Sequence, residues 1–244
     1  LQAAHHVDPG AVAGDAVDAL GPIYDAIVVD EAQDFGDEYW LPVEMLLTRP
    51  DKAMLYVFLD ENQDIYHRSA NIPVTGEPMV LDRNCRNTDA IHAAAYSHYR
   101  GAAVEPPEIA GIGVERLFAS DIEKQARSIG SLVTKLVADE NVAPHEIAIL
   151  LCDASDRPAR ERALQKLPLP AIVRLGRVED FGPGGLTVDT VARFKGLERA
   201  VIILWAFDNC DVGRDRETLY VGMSRAKSAL FVCGTREACD RILG

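Results

Sequence analysis

The chain has 244 residues, 48% of them hydrophobic, with a mean hydropathy of −0.02 and a formal charge of −13. That length suffices for one large domain or two small ones with a real core. No apolar run approaches the roughly 18 residues of a membrane-spanning helix, so no membrane partner is expected.

The first six residues, Leu1 to His6, hold no charged leader followed by an apolar stretch, so nothing there reads as a signal peptide. The first methionine is Met45, and Leu1 is therefore expected to be an internal or processed start. Cys85, Cys152, Cys210, Cys233 and Cys239 are odd in number, widely spread and contain no C-x-x-C pair. A disulfide framework or zinc site is not expected, and a reducing cytoplasm fits. A strongly acidic chain argues against nucleic acid, yet the acidity is local. Residues 1–80 hold 15 acidic and 3 basic side chains, whereas residues 81–244 hold 23 and 22. The larger part is neutral enough to carry a basic groove.

In chain order, short β-branched runs alternate with helical patterns, as in a parallel sheet covered by helices. A helix is predicted over Ala11–Leu20, a strand over Ala26–Val29, a helix over Asp37–Leu47 and a strand over Met54–Leu59. A helix over Thr88–Tyr99 follows, then a Gly- and Pro-containing linker over Gly101–Gly113. Beyond it come strand Glu115–Phe118, helix Asp121–Val137, strand Glu146–Leu151, helix Arg157–Leu167 and strands Ala171–Arg174 and Leu186–Asp189. Strand Ala200–Trp205, helix Arg216–Arg225, strand Ala229–Cys233 and helix Arg236–Leu243 close the chain. The predicted fold class is α/β. Domains are placed at 1–85 and 105–244, with a linker and connecting helix over 86–104.

The strongest local signal is Ile27-Val-Val-Asp30-Glu31-Ala32-Gln33-Asp34. A buried strand ending in two acids sets both carboxylates at the C-terminal edge of a sheet, where open α/β folds bind ligands. In a nucleotide hydrolase the first acid, Asp30, holds Mg²⁺ through water, and the second, Glu31, orients and deprotonates the attacking water. Alone, such a run is as often a strand entering a polar loop. Four further segments follow it: Phe58 to Tyr66, Leu81 to Thr88, Thr190 to Glu198, and Thr218 to Lys227.

In order and spacing these five segments resemble helicase motifs II to VI of the UvrD/Rep-like branch of superfamily 1 DNA helicases. They span Ile27 to Lys227, about four-fifths of the chain. The resemblance implies ATP and Mg²⁺ as cofactors, with part of a first RecA-like domain and a nearly complete second one. Asp30 and Glu31 match the metal and base residues, and Gln63 matches the glutamine that senses the γ-phosphate. Arg86 and Arg225 match the arginines that reach that phosphate from the second domain. Glu198 matches the acid at the nucleotide sugar. Tyr66, Thr190 and Lys195 match residues that contact single-stranded DNA, Tyr66 by stacking and the others at phosphates.

The departures matter as much. No G-x-x-x-x-G-K-[ST] loop exists in the sequence. Motif III begins Leu59-Asp60 instead of Gly-Asp, Cys85 replaces the usual adenine-stacking tyrosine, and Ala192 replaces a frequent histidine. Only about 35 residues lie between Leu151 and Leu186, so no large 2B-type insertion is expected.

The expected function is thus the C-terminal part of an ATP-dependent helicase or translocase on single-stranded DNA or duplex junctions, moving 3′ to 5′. The phosphate-binding loop would lie in an N-terminal portion, leaving these residues inactive alone. Two alternatives stay open: a family ATPase that remodels nucleic-acid complexes in a nuclease or defence assembly without unwinding, and a pseudo-helicase binding module.

Overall fold

The computed structural model describes residues 9–49, 52–63, 72–180 and 185–244. The chain divides into two compact units, residues 1–80 and 81–244.

In the first unit, helix α1 (Pro9–Leu20) precedes strand β1 (Ala26–Val29), helix α2 (Asp37–Met45) and strand β2 (Met54–Val57). The strands pair in parallel, Ala26 opposite Met54 and Val29 opposite Val57. The β-branched run Ile27-Val-Val favours the pleated, half-buried surface of a strand. Period-two alternation sends Ile27, Val29, Leu55 and Val57 to one face, around a small core with Ala32 and Trp40. Val28, Met54 and Tyr56 lie on the other face and are more than half exposed.

The second unit is a larger α/β layer. Helix α3 (Asp89–Tyr96) and strand β3 (Glu115–Phe118) lead into helix α4 (Ile122–Thr134), which ends in a π-helical turn over Lys135–Asp139. Strand β4 (Ile147–Leu151), helix α5 (Arg157–Gln165), strand β5 (Leu175–Gly176) and strand β6 (Leu186–Thr190) follow. Strand β7 (Arg199–Trp205), helix α6 (Arg216–Ser224), strand β8 (Ala226–Gly234) and helix α7 (Arg236–Leu243) complete it. The six strands form one all-parallel sheet in the order β3-β8-β7-β4-β6-β5.

Such a sheet is covered on both faces, which is why its central strands read as continuous apolar runs. All five residues of β4 are buried. Ile147, Ile149, Leu151, Ile203 and Trp205 meet Ile129, Leu132, Val133 and Leu164 of α4 and α5. Helix α6 lies on the opposite face. A side chain at Gly222 would come within 2.9 Å of Leu204 and 3.1 Å of Val191, so the close approach of α6 to β7 requires glycine there.

Between β4 and β6 the described residues hold one helix, a two-residue strand and a short 3-10 turn, and no large insertion. Ala171–Arg174 is not a strand as predicted. Pro170 opens a turn closed by the Val173 N–H donating to its carbonyl at 2.8 Å, and pairing starts only at Leu175. Gly101–Gly113 folds back along residues 82–89. Glu105 bridges Arg83, and Gly111 sits where any side chain would strike Thr88 at 2.5 Å. No helix among the described residues is long and apolar enough to cross a membrane.

His92 and His98 are buried in this unit. Burial holds both below the ordinary value of 6.5; nearby Asp89 opposes the shift at His92, and Arg216 adds to it at His98. An unfolded chain takes up protons at these groups as pH falls through about 6.5 while the folded unit resists, so stability present above that pH is lost below it. The urea midpoint should therefore drop between about pH 7.5 and 5.5, and His98→Leu should flatten the drop. A midpoint that rises on acidification would contradict this account.

Candidate functional site

The acidic end of β1 is a built turn. The Asp30 carboxylate, exposed, accepts the Glu31 N–H at 2.9 Å through one oxygen. Glu31 lies in the left-handed region, φ 53° and ψ 41°. That conformation costs a residue with a Cβ roughly 1–2 kcal/mol and turns the chain sharply into the 3-10 turn Ala32–Asp34. The Phe58 N–H donates to Val29 O at 2.8 Å and the Ala32 N–H to Phe58 O at 2.9 Å, knitting the ends of β1 and β2 together.

Gln33 is buried beneath this turn. Its Nε2 donates to the Glu31 carboxylate, and its Oε1 accepts the Asp60 N–H at 3.0 Å. The Asp60 carboxylate in turn accepts the Asn62 N–H and the Gln63 side-chain amide, both at 2.9 Å. One hydrogen-bonded chain thus runs from Glu31 through Gln33 and Asp60 to Gln63. Tyr66 lies outside the described residues.

A second cluster gathers in the larger unit. The Arg86 Nε contacts a Glu198 carboxylate oxygen at 3.0 Å, and Lys227 Nζ contacts the other oxygen at 3.3 Å. All three side chains are 40–47% exposed, so the pairs add little stability and leave the groups accessible. Arg225 differs, being buried at the C-terminal end of α6. Its Nε donates to Val221 O at 3.2 Å and its Nη2 to Ser224 Oγ at 3.1 Å. Behind Arg86 lie two buried asparagines. The Asn87 Nδ2 donates to the Ser224 carbonyl at 3.0 Å and to the Ala226 carbonyl. Asn84 Oδ1 accepts the Arg86 N–H at 2.9 Å.

The remaining predicted residues flank the crossover after β6. Thr190 closes the strand, and its Oγ1 accepts the Arg193 N–H at 3.4 Å. Lys195, half-buried, follows the 3-10 turn Ala192–Phe194. Beside them Asp189 is fully buried and fully paired. Arg157 Nη1 reaches it at 3.0 Å and Arg193 Nε at 3.3 Å, with the backbone N–H groups of Thr190 and Val178 at 2.8 and 3.2 Å.

The structure therefore joins Glu31 to Gln63 by a relay and Arg86 to Glu198 directly. Thr190 ends β6, and Lys195 lies within the crossover that leads to Glu198 and β7. Sequence reasoning passed over Gln33, Asp60, Asn84, Asn87 and Lys227. Each stands within three residues of a predicted one, and their only signal was a carboxamide or charge inside a motif already singled out.

Residues 185–233 match the family of the UvrD-like helicase C-terminal domain. No curated protein matches the chain. Among solved structures, the C-terminal domain of a possible DNA helicase from Lactobacillus plantarum WCFS1 aligns with a TM-score of 0.50 at 20% identity, over 64% of this chain and 92% of that one. At that identity the likeness speaks for the fold. The family likeness thus rests on residues 185–233, and the structural likeness supports the α/β fold.

Gln33→Ala would remove the side-chain acceptor of the Asp60 N–H and one donor to the Glu31 carboxylate. A buried amide with two such partners is worth roughly 1–3 kcal/mol. Denaturant unfolding followed by the fluorescence of Trp40, in a Trp205→Phe background, should show that loss in the first unit. An unchanged midpoint would mean that the relay carries no load.

Proposed function

We propose that this chain supplies most of the hydrolysis residues of an ATP- and Mg²⁺-dependent helicase or translocase, a cytoplasmic motor that moves 3′ to 5′ on single-stranded DNA. One observation carries the reading. Three segments far apart in sequence, around Arg86, Glu198 and Arg225 to Lys227, converge on one place in the larger unit. Phosphoryl transfer needs little covalent chemistry and much charge neutralisation, and a cluster of cations on a rigid sheet is suited to it.

The acidic turn of the first unit, taken by itself, has the chemistry of a metal and base site. Asp30 gives one oxygen to the Glu31 N–H and can offer the other to a hydrated cation. No group of three or more His, Cys, Asp or Glu side chains that could hold a metal occurs among the described residues. A cation here would be held by Asp30 with water completing its shell, as the resemblance implies. When bound, Mg²⁺ neutralises charge on the phosphates. Glu31, held by Gln33, would accept the proton of the attacking water. Gln63, tied to the same relay, would report the γ-phosphate to that base. Arg225 would have to leave Val221 and Ser224 to reach a phosphate, while Arg86 is already half-exposed. Glu198 would leave Arg86 for the nucleotide sugar. Thr190 and Lys195 would hold DNA phosphates, with Tyr66 stacking on a base.

No phosphate-cradling loop occurs in these 244 residues, so a working motor takes one from outside them. The 244-residue chain alone should not hydrolyse ATP. Titration calorimetry with ATP and Mg²⁺ should show no micromolar binding, and finding it would relocate the nucleotide site. In the protein that joins this chain to such a loop, Glu31→Gln should abolish turnover and keep ATP binding. Arg225→Ala should lower kcat by about 10³-fold. Near-normal ATPase in either variant would sink the roles assigned.

Cys85 is exposed next to Arg86 and offers an adenine ring no aromatic face. Base stacking is worth roughly 1–3 kcal/mol. Discrimination between ATP and GTP in the same protein should be weak, and Cys85→Tyr should tighten ATP binding. A preference for ATP in kcat/KM above about 100-fold, or 2.7 kcal/mol, would place the base elsewhere.

A further inference from the structure

We propose that Asn84 and Asn87 are positioning residues that lock Arg86 and Arg225 to one another, so that both arginines are presented as one unit. The proposal rests on the reading of those arginines as the groups that meet the triphosphate.

The two carboxamides form a closed circuit. Asn87 Nδ2 has two hydrogens and uses them on the carbonyls of Ser224 and Ala226, the residues on either side of Arg225. These partners lie 137 and 139 positions away in sequence. Asn87 Oδ1 accepts from Asn84 Nδ2 at 2.9 Å. The second Asn84 hydrogen points at His92 Nδ1, 3.0 Å away, and Asn84 Oδ1 accepts the Arg86 N–H at 2.9 Å. Every donor of both amides is used.

The circuit also fixes itself. Turning Asn87 over would set its oxygen against two carbonyls, and turning Asn84 over would set its amide against the Arg86 N–H. Asn84, Asn87 and His92 are 7%, 2% and 9% exposed, so no water would relieve either clash. Burial keeps His92 below its ordinary value and hence neutral, as an accepting Nδ1 requires.

The carbonyls that Asn87 caps belong to the end of α6 and the start of β8, where helical bonding has run out. Any donor could satisfy them. The donor used lies one residue from Arg86, which converts a helix cap into a coupling of two charged groups. Arg86 cannot shift along the chain without pulling on Asn84, nor Arg225 without losing the pair of bonds from Asn87.

Steady-state ATPase of the protein that carries this chain with its phosphate-binding loop decides the matter, with wild type, Asn87→Ala, Arg225→Ala and the double variant. Asn87→Ala should lower kcat about tenfold or more with little change in KM, because the loss falls on groups used in the transition state. In the Arg225→Ala background the same change should cost less than about twofold, since coupled residues are non-additive. The preference for a non-hydrolysable ATP analogue over ADP should shrink in Asn87→Ala, a readout that a purely structural cap would not move. Equal losses in both backgrounds, or a kcat within about twofold of wild type, would overturn the proposal. If Arg225→Ala itself left turnover intact, the reading of the site would fall instead, and the two failures are told apart. Should Asn87→Ala not fold, Asn84→Asp keeps the acceptor for Arg86 and removes the donor that serves Asn87 and His92. It should show the same non-additivity, and a neutral result there would overturn the proposal equally.

Discussion

Parallel pairing is the constraint on which the larger unit depends. Strands that run the same way bring all their C-terminal ends to one edge of the sheet and all their starts to the other, so each connection must cross its full depth. Between β6 and β7 the chain makes that crossing in eight residues, Val191 to Glu198. Thr190 pairs with Leu151 at the far edge, where Trp205 also ends, whereas Arg199 pairs with Ala226 at the near edge. A five-residue strand spans roughly 16 Å, and the crossover has to cover that depth. The segment therefore carries Thr190 at one edge of the sheet and Glu198 at the other. In the proposed motor it would be a short mechanical link from DNA-phosphate contacts to the arginine cluster.

Both units rely on buried carboxamides where a charge would be expensive. Gln33, Asn84 and Asn87 each donate and accept at once, which lets one neutral side chain join two segments without the desolvation penalty of an ion. Gln125 does the same in the core of the sheet. Its Oε1 accepts from Trp205 Nε1 at 2.7 Å and Arg160 Nη1 at 3.0 Å, while its Nε2 donates to Ala119 O and Asp208. Where a charge is buried outright, as at Asp189, two arginines and two backbone N–H groups surround it.

Hydrophobic periodicity made the sheet legible. The apolar runs at β4, β7 and β8 are long and bounded by polar turns, and they fold as the pattern requires because both faces are covered. The weaker run Ala171–Arg174 misled, since Pro170 supplies a turn and the pairing moved on to Leu175 and Gly176. Helix ends were read too long at Asp37–Leu47, Thr88–Tyr99 and Asp121–Val137, where bonding changes to 3-10 or π geometry or stops. In the site, the residue types were readable and their engagement was not. Nothing in Thr218 to Lys227 announces that Arg225 lies along its own helix, or that Glu198 already holds Arg86. Such facts depend on which partners the fold delivers, and single-residue patterns do not encode partners 100 positions away.

The charge pattern gains meaning from these pairings. Residues 81–244 are nearly neutral, and many of their arginines are engaged: Arg157 with Glu161 and Asp189, Arg177 with Glu161, Arg193 with Glu179 and Asp189, Arg86 with Glu198. A phosphate arriving at such a cation must displace a carboxylate already there. Exchange of that kind lowers affinity for any polyanion that only passes by, while a ligand that replaces several carboxylates at once still gains from the counterions it releases. The acidic first unit, with 15 acidic and 3 basic side chains in residues 1–80, adds long-range repulsion to the same effect. A motor that must let go of each phosphate it holds is better served by cations with resident partners than by an open basic patch. In the proposed motor, partnered arginines would let an acidic chain hold and release DNA phosphates.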